Sequence, residues 1–215
     1  MEQLKNDVNV PVEILPADLS KKKACLALLD KLNDERIDVF INNSGFGLAG
    51  SFVETDLDRE VSMIKVNDVA MHILFKGILQ KMVGQNSGHI LNVASSAGLL
   101  PGGAYMATYY ASKAYVTSLT RAVALELKEA HSNVKVSLLC PGPVDTEFNK
   151  NADVVFALKG ISPQKCVSAA LNGMDKGRTI IVPGGIMALG MALQRIIPIP
   201  IVMKLTARQQ KKKLG

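Results

Sequence analysis

Two side chains in the stretch YYASKAY are of types that can exchange a proton with a substrate. Tyr109 and Lys113 are four residues apart, so on a helix they project from one face and can meet. An ammonium group beside a phenol favours the phenolate and lowers the tyrosine pKa from its usual value of about 10. Ser96 follows an apolar run thirteen residues before Tyr109, and its hydroxyl could bind a carbonyl oxygen beside the phenol. The trio predicts acid–base chemistry at a carbonyl or alcohol, although Tyr-x-x-x-Lys alone also arises by chance on amphipathic helices.

The stretch NNSGFGLAG matches the pattern G-x-G-x-x-G at Gly45, Gly47 and Gly50. In a dinucleotide-binding loop, that pattern follows the first strand, opens a helix directly and precedes an acid about 20 residues later at a strand end. Here the preceding apolar run is the second in the chain, SFVETDLDRE intervenes before a helical pattern, and Asp68 falls inside that pattern. The sequence therefore argues against a diphosphate loop at this position.

Short apolar runs alternate with helical patterns and predict the elements that must hold these side chains. The predicted strands are 10–19, 37–41, 88–93, 134–140 and 179–182, and the predicted helices begin after Ser20 and cover 56–82, 106–131 and 164–174. Strands that alternate with helices form a parallel sheet covered on both faces, which is the doubly wound α/β class. Ligands bind such sheets beyond the carboxyl ends of the strands, where polar and glycine residues follow nearly every run.

Composition excludes several classes of protein. With 215 residues and 48% hydrophobic residues, the chain fits one globular domain. Three separated cysteines and three scattered histidines argue against a disulfide scaffold or a metal site, and with no signal peptide they favour the reducing cytoplasm. The net charge of +6 lies almost entirely in the last twelve residues, which carry five basic residues and no acid, so the nearly neutral remainder argues against nucleic-acid binding.

Five motifs in a fixed order give the chain a family resemblance. NNSG, the asparagine at position 67, SSAG, YYASK and CPGPVDT together resemble the short-chain dehydrogenase/reductase family, over about 10–182. The resemblance implies a Rossmann-like fold and NAD(P)-dependent interconversion of a carbonyl and an alcohol. It also implies that NNSG borders the adenosine side of the cofactor pocket.

The resemblance assigns roles to the catalytic candidates. Tyr109 becomes the acid or base, and Lys113 lowers its pKa and holds the nicotinamide ribose. Ser96 orients the substrate carbonyl and is preferred to Ser95, because Ser96 stands in the Ser-x-Gly of the family. Asn67 matches a helix asparagine that holds a proton-relay water.

The resemblance also implies a set of cofactor-binding residues, with no choice between NAD and NADP. Besides Tyr109 and Lys113, they are Asp18 for the adenine, Asn42, Asn43 and Gly45 for the adenosine side, and Pro141, Gly142, Val144 and Thr146 for the nicotinamide carboxamide.

One departure from the family concerns the start of the chain. The family begins with a strand, the turn G-x-x-x-G-x-G, a helix and a second strand, whereas nine residues here precede the strand that matches its third. We expect that this unit is lacking, that the 215-residue chain binds NAD(P) poorly, and that 10–19 pairs with 37–41. Three interpretations follow: an oxidoreductase without its start, a remnant that binds a partner without catalysis, or a membrane-surface protein.

The carboxyl end differs from the rest of the chain. We assign 1–185 to a partial Rossmann-like domain and 186–215 to an apolar extension of the same domain with a basic tail. Pro198 and Pro200 interrupt the apolar stretch, which therefore cannot span a bilayer as a plain helix. A lid over the substrate or a subunit contact is favoured over lipid contact. The helix at 106–131 has apolar residues on more than one face, which predicts a homodimer or homotetramer.

Overall fold

The computed structural model describes residues 10–146 and 160–211 and shows one parallel sheet with the strand order β1-β2-β3-β4. The strands are β1 (Val39–Asn42), β2 (His89–Val93), β3 (Lys135–Leu139) and β4 (Ile180–Ile181). Phe40 pairs with Ile90, and Leu91 pairs with Ser137. Four of the five predicted strands and the doubly wound class are confirmed.

Helices separate the strands as predicted, within one or two residues at most ends. They are α1 (Lys22–Lys31), α2 (Leu57–Ile64), a π-helix (Lys65–Ala70), α3 (Met71–Gly84), a 3-10 helix (Ser96–Leu99), α4 (Ala107–Glu129), α5 (Pro163–Asp175), α6 (Gly185–Leu193), a second 3-10 helix (Gln194–Ile196) and α7 (Ile199–Lys211). Side-chain caps fix two starts: Asp56 accepts from the backbone N–H of Arg59, and Ser162 accepts from that of Lys165. None of these described helices is long and apolar enough to cross a lipid bilayer.

Alternate residues of the strands face opposite layers. Ile90, Val136 and Leu138 pack against α3 and α4, with Phe75 and Val116 among their buried neighbours. This layer is the largest apolar core of the described residues, and it fixes the position of α4 over the sheet. The residues of α4 that contribute to the site are thereby held near the ends of β2 and β3.

The opposite face of the sheet is covered by a helix at β2 and β3 but not at β1, among the described residues. Leu91 and Leu139 pack against Cys166 and Ala170 of α5. At β1 the residues that alternate with the core residue Phe40 are exposed: Val39 is 54% and Ile41 is 49% accessible. The sheet is therefore buried on both faces at β2 and β3, but on one face at β1.

The predicted strand at 10–19 is wrong. That segment has no regular strand structure, and β1 pairs with β2 alone among the described residues. Its expected pairing with 37–41 is wrong too. Pro11 and Pro16 each lack the N–H that a parallel ladder needs, which accounts for the failure. The absence of an amino-terminal unit stays a prediction.

Candidate active site

The carboxyl ends of β1, β2 and β3 open into one cavity of about 620 Å³. The first turns of α4 form one wall of this cavity, and the loop after β3 forms another. The sequence-predicted residues that line it are Asn43, Gly45, Ser96, Tyr109, Lys113, Pro141, Gly142, Val144 and Thr146. Three strand ends and one helix therefore bring most of the predicted residues together.

Tyr109 is buried at the base of this cavity, and its phenol forms a hydrogen bond with the side chain of Ser95. Burial raises the pKa of Tyr109 to about 12, the Ser95 hydrogen bond lowers it, and nearby Tyr110 raises it. The predicted lowering of this pKa by Lys113 stays a prediction. The Lys113 Nζ lies 6.0 Å from the centre of the Tyr109 ring, and burial has the larger effect.

Lys113 is a buried amine whose Nζ donates to the backbone oxygen of Val93 at 3.1 Å. Burial lowers its pKa to about 8, whereas Asp68 and Cys140 act in the opposite direction. Burial likewise raises the pKa of Asp68 to about 6, and the charge of Lys113 lowers it. Within the described residues, the Oδ1 of Asp68 is buried without a hydrogen-bond partner. The two groups form an electrostatically coupled pair behind the cavity.

Ser95, and not the preferred Ser96, is the serine that the structure places against the Tyr109 phenol. The Ser95 Oγ also accepts from the backbone N–H of Ala97 at 3.1 Å, which caps the 3-10 helix. Ser96 lines the same cavity, and its backbone N–H donates to the oxygen of Pro141 at 2.8 Å. In this structure the hydroxyl against the phenol is that of Ser95, and the choice of Ser96 as the catalytic serine stays a prediction.

Asn67 lies in the π-helix and joins the loop after β1 to α4. Its Oδ1 accepts from the backbone N–H of Phe46 at 3.0 Å, and its Nδ2 donates to the Phe46 oxygen at 2.9 Å and to the Ser112 Oγ at 3.1 Å. A Cβ on Gly45 would lie 2.9 Å from the Asn67 Oδ1 and 3.3 Å from the Lys113 Nζ. Glycine at position 45 therefore permits this close approach, and a water-holding role for Asn67 stays a prediction.

Two predicted cofactor residues lie away from the cavity in the part of the chain that is described. Asp18 is exposed in a separate hollow beside α1 and bonds to the Ser20 hydroxyl, which lowers its pKa together with other local contacts. Asn42 is buried, and its Nδ2 donates to the Met71 oxygen at 3.0 Å, so its side chain joins β1 to α3. The structure does not bring either residue to the other candidates, and their roles toward a cofactor stay predictions.

Comparison with known proteins decides the family. The model of the family described as short chain dehydrogenase matches residues 1–154. The chain belongs to the short-chain dehydrogenase family. It is 29% identical over 177 residues to an uncharacterized oxidoreductase of Staphylococcus saprophyticus, covering 81% of this chain and 74% of that protein. It is 31% identical to dehydrogenase/reductase SDR family member 6 of Rattus norvegicus, covering 83% and 69%.

Solved structures of other short-chain dehydrogenases have the same fold. A short-chain dehydrogenase from Sphingobium yanoikuyae in complex with NADPH superposes with a TM-score of 0.78 at 27% identity, over 92% of this chain and 80% of that one. A short-chain dehydrogenase from Burkholderia cenocepacia in complex with NADP superposes with a TM-score of 0.70 at 27% identity, over 86% and 77%. This chain is therefore a member of a family of oxidoreductases with a Rossmann-like fold.

The carboxyl end of this short-chain dehydrogenase adds cavity residues that sequence reasoning did not name. Met187 and Met191 of α6 and Gln210 of α7 line the cavity. The Gln210 Nε2 donates to the Tyr110 hydroxyl at 2.5 Å, and the Gln194 Nε2 donates to the Leu99 oxygen at 3.0 Å. The extension thus contributes side chains to one wall of the cavity, and its role as a lid stays a prediction. Nothing in its composition indicates which of its side chains face inward.

Proposed function

We propose that this chain is an NAD(P)-dependent oxidoreductase that interconverts a carbonyl and an alcohol, with Tyr109 as the acid or base. The observation that carries the proposal is the Tyr109 phenol hydrogen-bonded to Ser95, in the same cavity as the buried Lys113. Three groups of different chemistry converge there from a strand end and a helix. Such convergence of titratable groups in a cavity is typical of a reaction centre.

The residues of the cavity fit the nicotinamide end of the cofactor. Lys113 offers a buried ammonium group for ribose hydroxyls, and Gly45 lets the backbone pass close to that ammonium group and to Asn67. Asn43, Pro141, Gly142 and Thr146 complete the wall that would hold it. When bound, NAD(P) supplies or accepts the hydride. Two solved relatives that hold NADPH and NADP support this assignment without deciding between the two cofactors.

The protein residues supply positions and a proton. With a pKa raised to about 12, Tyr109 is protonated at neutral pH and can donate to the oxygen of a carbonyl that is being reduced. The Ser95 hydroxyl, already at the phenol, is the donor that holds that oxygen beside it. Lys113, with a pKa of about 8, is mostly charged at pH 7 and stabilises the phenolate left behind.

The substrate in this proposal is a small carbonyl or alcohol with an apolar body. Beyond Tyr109, the cavity wall is formed mainly by apolar side chains, notably Leu100, Met106, Met187 and Met191. Methionine side chains adapt to irregular apolar shapes, so the wall suits a range of such molecules. The lid residues and the catalytic residues belong to one continuous domain in this assignment.

We also propose that the protein forms a homodimer or homotetramer in the cytoplasm. Exposed apolar side chains on α2, the π-helix and α4 support the assembly: Val61, Ile64, Val69, Tyr115 and Leu125. Sedimentation at micromolar concentration measures it, and a monomer alone would contradict it. Three free, buried cysteines support the reducing compartment.

Tyr109→Phe tests the catalytic proposal. We expect kcat/KM for carbonyl reduction to fall about a hundredfold or more, because the proton donor is removed. Tyr110→Phe is the matched control: its hydroxyl bonds to Gln210, so we expect nearly unchanged turnover. All chains are compared at one millimolar-range NADH or NADPH concentration, so that weak cofactor affinity does not hide the effect. A Tyr109→Phe variant that keeps most of its activity, or a wild-type chain without turnover, would overturn the proposal.

A further inference from the structure

The outer side of the carboxyl-terminal segment is unusually apolar. Helix α6 contains no buried residue, although Met187 and Met191 line the cavity on its inner side. On its outer side Ile186 is 92% accessible, and in the following 3-10 helix Ile196 is 81% accessible. Leu189, Leu193, Ile199 and Leu205 are exposed as well. We call the exposed side chains of 185–211 the docking face.

The docking face is also basic. No acidic residue follows Asp175, and the last 40 residues of the chain contain eight lysines and arginines. Arg195, Lys204, Arg208 and Lys211 are exposed within the described segment. Lys204 and Arg208 are one helical turn apart on α7, on the side that also exposes Ile201 and Leu205. Apolar and cationic side chains thus share one surface.

The inner side of α7 is already engaged by the protein. Val202, Thr206 and Gln210 are buried, and the Thr206 Oγ1 lies 3.5 Å from the Gly102 oxygen. Gln210 is bonded to Tyr110, and Gln194 to the loop after β2. These contacts hold the segment against the site, so a simple rotation of the helix cannot bury its exposed side chains. Within residues 10–146 and 160–211, no segment covers the docking face.

Charge decides between the candidate occupants. A second copy of this chain would bring the four cations of the docking face against four identical ones, with no acid in 185–211 to pair with them, which like-charge repulsion disfavours. An anionic bilayer offers both required environments: headgroup phosphates and carboxylates for the cations, and acyl chains for the isoleucines and leucines. We propose that residues 185–211 dock this protein on the surface of an anionic lipid bilayer.

Vesicle flotation tests this inference independently of catalysis. The full chain is floated with phosphatidylcholine vesicles with and without phosphatidylserine, at low and at high salt. We expect binding to the anionic vesicles at low salt and at least about tenfold weaker binding to the neutral ones. The lysines and arginines are attracted by the negative headgroups, and this attraction is screened by salt. Equal binding to both compositions, or no binding to either, would overturn the proposal.

Matched variants separate the two components of the face. Ile186→Asp with Ile196→Asp removes apolar contact at exposed positions, and Val53→Asp, at a position 88% accessible, is the control elsewhere. Lys204→Glu with Arg208→Glu reverses two charges, with the exposed Lys22→Glu and Lys23→Glu on α1 as control. We expect each docking-face pair to weaken vesicle binding about tenfold and each control to leave it unchanged. Effects of equal size in the controls would overturn the assignment.

The same variants detect the other occupants. If the wild-type chain self-associates through this face, Ile186→Asp with Ile196→Asp will lower its sedimentation coefficient while vesicle binding is absent. If charge alone drives association, the chain will bind heparin or polyglutamate as well as vesicles, and the isoleucine substitutions will have no effect. Either result would overturn lipid docking, and neither depends on whether Tyr109 is catalytic.

Discussion

Two regions of the molecule, the cavity beyond β2 and β3 and the hollow beside α1, differ in how their polar side chains are held. Beyond β2 and β3, Lys113 bonds to Val93 and the Ser95 hydroxyl to the Tyr109 phenol. These contacts join residues that are far apart in sequence, and the side chains are largely buried. Beside α1, Asp18 is exposed, and in the described part of the chain its side chain bonds to Ser20 and Lys21, two and three residues away.

The difference has a physical consequence for binding and catalysis. Groups fixed by long-range packing keep their geometry without a ligand and act as preorganised donors. A side chain held by near neighbours alone, on a segment without regular pairing, must be ordered when a ligand binds, and that ordering costs affinity. In the described residues the side chains around Tyr109 are therefore preorganised, whereas Asp18, which was predicted to meet the adenine, is not.

The largest effect should come from separating the two serines in the preorganised part. Ser95→Ala removes the hydroxyl at the phenol, and we expect kcat to fall about a hundredfold, the scale of losing one transition-state donor. Ser96→Ala should lower kcat less than about threefold, because Ser96 contributes its backbone N–H to Pro141. Steady-state carbonyl reduction measures both. A larger loss for Ser96→Ala would restore the choice based on spacing.

A second variant tests how tightly the preorganised part is packed. A Cβ on Gly98 would overlap the Lys113 carbonyl oxygen and the Thr117 Oγ1, neither of which can yield without moving α4. Gly98→Ala should therefore lower the free energy of unfolding by about 2–3 kcal/mol. At Gly84, where a Cβ would meet nothing within 4 Å, alanine should be neutral or stabilise by up to about 1 kcal/mol. Urea denaturation measures the difference, and equal midpoints for the two variants would contradict the packing argument.

Cofactor titration compares the two parts directly. Because Asp18 and Asn42 lie away from the cavity, we expect fluorescence titration of NADH and NADPH to show dissociation constants well above the low-micromolar range. Lys113→Met should weaken what binding remains about tenfold, whereas Asp18→Ala should change it less than about twofold. Low-micromolar binding by residues 1–215, or a large effect of Asp18→Ala, would show that the exposed part contributes after all.

The smallest expected effect concerns the coupled pair behind the cavity. Asp68 raises the pKa of Lys113, so Asp68→Asn should lower that pKa further below about 8. The alkaline limb of the pH–rate profile should move to lower pH, with an activity loss at pH 8 of about twofold to threefold and little change at pH 6. An unshifted limb would show that the charge of Lys113 does not limit turnover.

The same substitution has a predicted sign for stability. Folding raises the pKa of Asp68 from 3.8 to about 6, so in that window the native state binds more protons than the unfolded state. Native stability from this group therefore falls as pH rises from about 4 to about 6, and the loss persists above that range. Asp68→Asn should remove this pH dependence and leave the protein slightly more stable at pH 7. Thermal unfolding of the wild type and the variant at about pH 4 and at pH 7 measures both effects.

Periodicity was enough to predict the sheet and the long helix, because apolar alternation and helical spacing are local properties of β2, β3 and α4. It failed at 10–19, where alternation of Val10, Val12 and Ile14 is compatible with a strand but a partner strand is a long-range requirement. Family spacing placed Tyr109 and Lys113 at the cavity. It could not choose between the adjacent Ser95 and Ser96. A shift of one residue in the turn after β2 would decide which of the two hydroxyls faces Tyr109. Gln210 was missed because its contact with Tyr110 spans 100 residues.

The π-helix that carries Asn67 lies in the middle of a continuous helical segment from Leu57 to Gly84 and sets the alignment of the residues on either side of it. Its i→i+5 hydrogen bonds accommodate one residue more than an α-helical turn, which shifts the angular phase of everything before it relative to everything after it. Deleting one residue between Lys65 and Ala70 would let the helical segment return to α-helical winding with α2 and α3 still in place. It would also remove the widened turn from which the Asn67 amide reaches Phe46 and Ser112. The length of this segment, counted in residues, is therefore as constrained as its composition.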